Sequence, residues 1–438
     1  MDISQRAVFD VEYYLILFFF YLYNRMAWQG CSGYNTAPRT AHEAKMTPIA
    51  TGLAGAKGYG FYLLVYAAMI YLLHPAYADF AASMQVKIQA LFPGGGAEAF
   101  VDRQQMIVPL TIAHILPVGL KGGFAAVILG LFISTNNSGM HSWGSIFIQD
   151  VVCPFLKKPL SPQQHVKLLR LAIVGVGLFV FCFGVLFPLK EYIMLFWQIT
   201  VSIFVAGAGV CLIGGLYWKR GTAGGAWAAM IIGAVGAGGS ILLRIVWEDV
   251  YFLTKISPEF PIDSQKMSFF VAMAAIIAYV GISLVTHLLG KGTVANMDKL
   301  LHRGPYVIQD EEDELKKNAM TKPVGKFWRK IGVNNHEFSL LDKGWFLWYS
   351  VQSLSSMAYF IITGSLILAG WFTDLRWMAW IKIWFIMGVV FYPITLPWIT
   401  IGSIKDFIAM FRILDKVELD ETDNGRVIEQ VADGEARA

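Results

Sequence analysis

The chain has 438 residues, 56% hydrophobic and 15% charged, with a formal net charge of +4. Soluble chains average about 25% charged residues, so this composition speaks against a water-soluble fold. The small net charge, with no basic stripe, offers no nucleic-acid surface, and the 14 tryptophans fit a chain with two membrane interfaces, where amphipathic rings settle at headgroup depth.

At the N-terminus Asp2, Asp10 and Glu12 stand where a leader peptide would be basic, and no small-residue cleavage site follows the apolar run. Nine stretches are apolar over the roughly 20 residues that a helical crossing needs. They are 8–34, 58–74, 112–152, 166–187, 192–217, 223–247, 267–289, 343–371 and 377–411. The third and the last exceed one straight span, which predicts an extension or a break in each; Pro393 and Pro397 would supply the break in the last. The first is the weakest, because polar residues fill its second half. No alternating apolar pattern points to a membrane β-barrel.

The loops give an orientation. Arg39, Lys45 and Lys57, then Lys157, Lys158, Lys167 and Arg170, then Lys219 and Arg220, and many basic residues of 291–343 fall on one side of nine alternating spans. The other side holds fewer: Lys87, Arg103, Lys190, Lys255, Lys266 and Arg376. The richer side is read as cytoplasmic, which leaves the N-terminus outside. Residues 291–342 mix both charges without an apolar period and read as a cytoplasmic linker with a short surface helix. Residues 414–438 are acidic and poor in aromatics, the composition of a disordered cytoplasmic tail. The expected localisation is the plasma (inner) membrane, with several crossings.

Small residues crowd two spans: Gly207, Gly209, Gly214 and Gly215, then Gly233, Gly236, Gly238 and Gly239. These predict close helix packing; no strand precedes the second cluster, as a nucleotide loop would require. Cys31, Cys153, Cys182 and Cys211 are scattered, without metal-ligand spacing. The eight histidines are dispersed, with no His-Glu-x-x-His pair, so a membrane metalloenzyme finds no ligand cluster and no cofactor is expected.

The chemistry concentrates in Leu131-Phe-Ile-Ser-Thr-Asn-Asn-Ser-Gly-Met-His-Ser-Trp-Gly-Ser145, which follows an apolar run already deep in the membrane. Polar groups at that depth are expensive unless satisfied or useful. Ser134, Ser138, His141, Ser142 and Ser145 share one helical stripe, with Thr135 beside it. Sodium is a small hard cation, and hard cations take oxygen ligands, which two adjacent hydroxyls and a helix carbonyl can begin to supply. Gluing of neighbouring helices is an equally physical use of the same hydroxyls. Gln198 is an amide in an otherwise apolar span, suited either to a polyhydroxyl solute or to a helix-to-helix hydrogen bond. Lys57 opens a span either as a site cation or as a snorkelling interfacial lysine.

These motifs together resemble the sodium:solute symporter family, which includes sodium–sugar and sodium–proline transporters. Ser134-Thr135 followed by Gln149-Asp150 is similar to the family's sodium helix. Gly215-Leu-Tyr-Trp-Lys-Arg-Gly-Thr-Ala-Gly-Gly-Ala226 looks like the motif that closes its next-but-one span. Ile115-Leu-Pro-Val-Gly-Leu-Lys-Gly122 resembles the entry to the sodium helix, and Ala41-His-Glu-Ala-Lys45 a family cytoplasmic loop. The likeness runs from about residue 28 to 289.

The resemblance implies an all-α, polytopic integral membrane protein: the second repeat of a LeuT-type inverted-repeat core plus further C-terminal transmembrane helices. Residues 1–217 would form the second five-helix repeat, 218–290 two further transmembrane helices, 291–342 the linker, 343–413 two C-terminal transmembrane helices and 414–438 the tail. The first repeat, an N-terminal half, has no counterpart in this sequence and would be a missing partner. The resemblance further implies sodium bound by Ser134, Thr135 and the Leu131 carbonyl, and a solute met by Gln198, with Lys57, Tyr21 and Asn24 also at the solute site and Trp28 and Gln29 nearby. The implied activity is sodium-coupled symport of a small polar solute, such as a sugar, by alternating access, and not enzymatic. The alternative is a transporter-like membrane sensor or a non-transporting fragment.

Overall fold

The computed structural model describes residues 11–28, 30, 38, 41–54, 58–95, 97–156, 160–186, 192–247, 249–257, 260–294, 296–300, 325–330, 333, 338–371 and 373–415. The helices are α1 (Val11–Ala27), α2 (Ala41–Ala54), α3 (Gly58–Leu73), α4 (Ala78–Leu91), α5 (Ala97–Ile115), α6 (Val118–Ile146), α7 (Pro162–Leu186), α8 (Ile193–Tyr217) and α9 (Ala223–Val246), followed by α10 (Tyr251–Ile256), α11 (Ser264–Leu288), α12 (Met297–Leu300), α13 (Lys326–Lys330), α14 (Leu340–Leu368) and α15 (Asp374–Leu414). Among the described residues the regular structure is helical, apart from an isolated antiparallel bridge between Thr222 and Val294. The protein is an all-α, multi-pass membrane protein.

Six helical segments among the described residues are long and apolar enough to cross a bilayer: Val118–Phe155, Pro162–Leu186, Ile193–Tyr217, Ala223–Val246, Ser264–Leu288 and Leu340–Ile367. A seventh crossing arises if Leu63–Leu73 and Pro75–Leu91, bent by 78°, count as one broken span. The 17 residues of α1 rise only about 25 Å, short of the roughly 30 Å hydrocarbon core.

The two over-long stretches resolve differently. The third breaks early: α5 ends at Ile115, and Pro117 leads into α6 in an extended conformation. Proline suits the entry to a helix because its missing N–H would have no partner there. Beyond Ile146 that helix widens into a π turn, Phe147–Val152, and then a 3-10 turn, Cys153–Phe155. The break expected at Pro393 and Pro397 does not occur, and α15 continues through both for 41 residues. Inside a membrane helix neighbouring groups and local adjustment can re-satisfy the carbonyls that proline frees.

Side chains at the helix starts explain where several elements begin. Thr222 accepts from the Gly225 N–H ahead of α9, and Asp263 from the Lys266 N–H ahead of α11. Ser339 and Asp342 form a reciprocal capping box at the start of α14.

The chain divides into two compact units. The first comprises Met1–Ser32, Gly94–Asp102 and Phe183–Glu314; the second comprises Gly33–Pro93, Arg103–Cys182 and Leu315–Ala438. In the first, α8, α9 and α11 pack together and α1 lies against α8 and α11. Its core gathers Ile16, Phe20, Tyr23 and Ala27 of α1 with Ile199, Val201, Val205 and Ala206 of α8. The expected small-residue packing is present: a Cβ on Gly207 would lie 2.6 Å from the Ala229 carbonyl oxygen, and one on Gly233 2.5 Å from the Gly207 nitrogen. Gly215, Gly238 and Gly239 face open space instead.

In the second unit α3 packs on α15 and α2 on α14. His42 Nε2 of α2 lies 3.4 Å from the Asp342 carboxylate of α14. A Cβ on Gly144 of α6 would meet Ile173 of α7 at 3.1 Å, so these helices touch there. The tail after Asp415 and Cys31 lie outside the described residues.

Candidate solute and sodium sites

The first unit holds an amide–hydroxyl chain inside an apolar core. Gln198 is 5% exposed and Ser202, one turn later on α8, is fully buried. Gln198 Nε2 donates to Ser202 Oγ at 3.4 Å, and Ser202 Oγ donates to the Gln198 carbonyl at 2.8 Å. Asn24 Nδ2 of α1 reaches Gln198 Oε1 at 3.5 Å. The other oxygen of that amide, Asn24 Oδ1, is buried and has no hydrogen-bond partner among the described residues. An unmatched buried acceptor costs about 1–3 kcal/mol, so it marks a place where an incoming donor would gain most.

Two further residues hold α1 against α8. Tyr23 is buried, its hydroxyl donating to the Ala206 carbonyl at 2.6 Å and its ring lying where a Cβ on Gly209 would be. Trp28 packs on Phe204, ring centroids 5.6 Å apart. Tyr23 and Ser202 were not singled out in the sequence. The stripe Tyr13, Ile16, Phe20, Tyr23 and Ala27 has helical spacing, but α1 is apolar on nearly all faces, so periodicity alone cannot pick it out. Tyr21 is 70% exposed on the same helix, whereas Asn24 is half-buried. Lys57 and Gln29 lie outside the described residues.

The second unit carries the sodium candidates. Leu131, Ser134 and Thr135 occupy positions i, i+3 and i+4 of α6, which share a face. All three are exposed, and no residue in the apolar window of this span is buried. The Ser134 carbonyl accepts from Ser138 Oγ at 2.9 Å. The helix is continuous here, so each carbonyl retains a second lone pair beyond the one in the helical ladder. Ser142 is buried, one turn beyond Ser138, and His141 is exposed. Three oxygens from one helix are part of a cation shell, and a full shell needs others. Among the described residues no three His, Cys, Asp or Glu side chains converge as a metal site would require.

Residues 55–233 match the sodium:solute symporter family. The matched region contains Lys57, Leu131, Ser134, Thr135 and Gln198, while Tyr21 and Asn24 precede it. The Sodium/sialic acid symporter SiaT of Proteus mirabilis (strain HI4320) is 26% identical over 132 residues, which are 30% of this chain and 26% of that protein. The matched stretch thus spans about a quarter of the relative's length. No solved structure matches the chain.

Proposed function

We propose that this chain takes part in sodium-coupled symport of a small polar solute of the sugar class. The observation that carries the reading is the buried Asn24–Gln198–Ser202 chain with a free acceptor at Asn24 Oδ1. A sugar hydroxyl both donates and accepts, so it can give its proton to Asn24 Oδ1 and take one from the Gln198 or Asn24 amide. A relative whose printed name couples sodium to sialic acid, a sugar acid, supports this class of cargo.

On this reading Ser134, Thr135 and the Leu131 carbonyl hold the coupling ion. The remaining oxygens come from a helix break in the first repeat of the fold, where unwound carbonyls are free to ligate. Bound sodium ties α6 to that break and favours the outward-facing state; its release to the inside frees the solute. Lys57 and Tyr21 border the solute path. Residues 1–217 act as the second repeat of the core, 218–290 and 343–413 as flanking membrane helices, and the 291–342 linker and the tail face the cytoplasm of the plasma (inner) membrane. Sodium is the only ion or cofactor the mechanism uses, and the reaction makes and breaks no covalent bond.

The test is accumulation of labelled sugars under an inward sodium gradient in vesicles carrying a full-length version that joins this chain to a first repeat; the chain alone should be inactive. Accumulation above equilibrium that collapses when potassium replaces sodium is the expected result. Equal uptake in both salts would refute symport.

A further inference from the structure

In the second unit α4 and the later part of α5 share a contact that the transport reading does not use. Lys87 Nζ of α4 lies 2.9 Å from His114 Nε2 of α5, and both side chains are exposed. The other ring nitrogen, His114 Nδ1, lies 2.9 Å from the Leu110 carbonyl oxygen. These two distances suit one protonation state. A carbonyl only accepts, so Nδ1 carries the hydrogen. A lysine ammonium only donates, so Nε2 must offer its lone pair. The ring in this geometry is therefore the neutral Nδ1–H tautomer.

Protonation of Nε2 would remove the acceptor and place a second positive charge against the ammonium. Lys87 is the charged group that reaches the ring from α4. Arg103 lies about three turns back on α5, and its guanidinium donates to the Phe92 carbonyl at 3.1 Å. The next charged residue along the chain is Lys121 on α6, a further cation that could not hold a protonated ring. His114 stands before Val118, where the span of α6 starts after the break at Pro117, and Lys87 lies in the second arm of the bent pair Leu63–Leu73 and Pro75–Leu91. The segment that carries Lys87 leaves α3 through the 78° bend.

We propose that Lys87 and His114 form a pH-gated clasp between α4 and α5, closed while the imidazole is neutral and opened by its protonation.

Hydrogen exchange on the purified full chain in lipid nanodiscs tests this, following peptides within 78–92 and 97–115 at about pH 5.5 and pH 7.5, corrected for intrinsic chemistry. The wild type should exchange about two- to fivefold faster at the lower pH, as fits an exposed side-chain contact. His114→Gln keeps an acceptor that does not titrate, so its protection should match the wild type at pH 7.5 and lose the pH response. Lys87→Met should exchange fast at both values. A wild type whose exchange in these peptides is the same at both pH values would overturn the proposal, as would a pH response that survives in His114→Gln.

Discussion

Asn24 on α1 donates from Nδ2 to Oε1 of Gln198 on α8, 3.5 Å away and 174 positions along the chain. The contact joins two helices through polar atoms at the centre of an apolar core, and it leaves Asn24 Oδ1 buried and free among the described residues. A pair serving only as glue would gain by satisfying both oxygens. Leaving one unsatisfied is a cost that, on the proposed reading, a donor on the solute recovers.

Asn24→Leu separates binding from stability. It removes the orphaned acceptor and also takes the donor from Gln198 Oε1, two effects of opposite sign and similar size. The thermal midpoint in detergent should therefore move little, while solute affinity falls about three- to tenfold, the loss of one neutral hydrogen bond. Equilibrium binding of the labelled solute beside a thermal unfolding curve reads both. Unchanged affinity would remove Asn24 from the site.

Close packing of α8 and α9 predicts a sharp contrast between glycines. Gly207→Val pushes a side chain into the α9 backbone and should lower stability by about 1–3 kcal/mol. Gly239→Ala adds its methyl to open space and should be neutral or slightly stabilising. Chemical or thermal unfolding of both variants in the same detergent makes the comparison.

The capping box of α14 predicts a local effect. Ser339 Oγ accepts from the Asp342 N–H at 3.1 Å, and the Asp342 carboxylate accepts from the Ser339 N–H at 2.9 Å. Ser339→Ala should cost about 1 kcal/mol and speed amide exchange in the first turn of α14, leaving α8 and α9 unchanged.

Much of the fold was legible in the sequence, for a physical reason. A bilayer demands about 20 apolar residues per crossing, and that demand writes itself into composition over long windows. The helices α7, α8, α9 and α11 accordingly fall within a few residues of the apolar stretches. Breaks were harder. Pro117 interrupts and Pro393 does not, because neighbours decide whether a freed carbonyl finds another partner. At the proposed solute site the sequence singled out Gln198, since a lone amide in an apolar span stands out. It could not separate Tyr21 from Tyr23, because on a helix apolar all round both look alike and only packing shows which face is covered. The hydroxyl pair on α6 was legible as chemistry, while the further oxygens that the proposed ion would need belong to no stretch of α6.

The sodium affinity of uptake tests the central claim most directly. In a full-length version that also carries the first repeat, Ser134 and Thr135 are exchanged for alanine together, and initial uptake is measured against sodium concentration in vesicles at fixed solute. The account predicts that the half-saturating sodium concentration rises about tenfold or more, as the loss of two charge-assisted ligands requires. A sodium dependence identical to that of the wild type would contradict it.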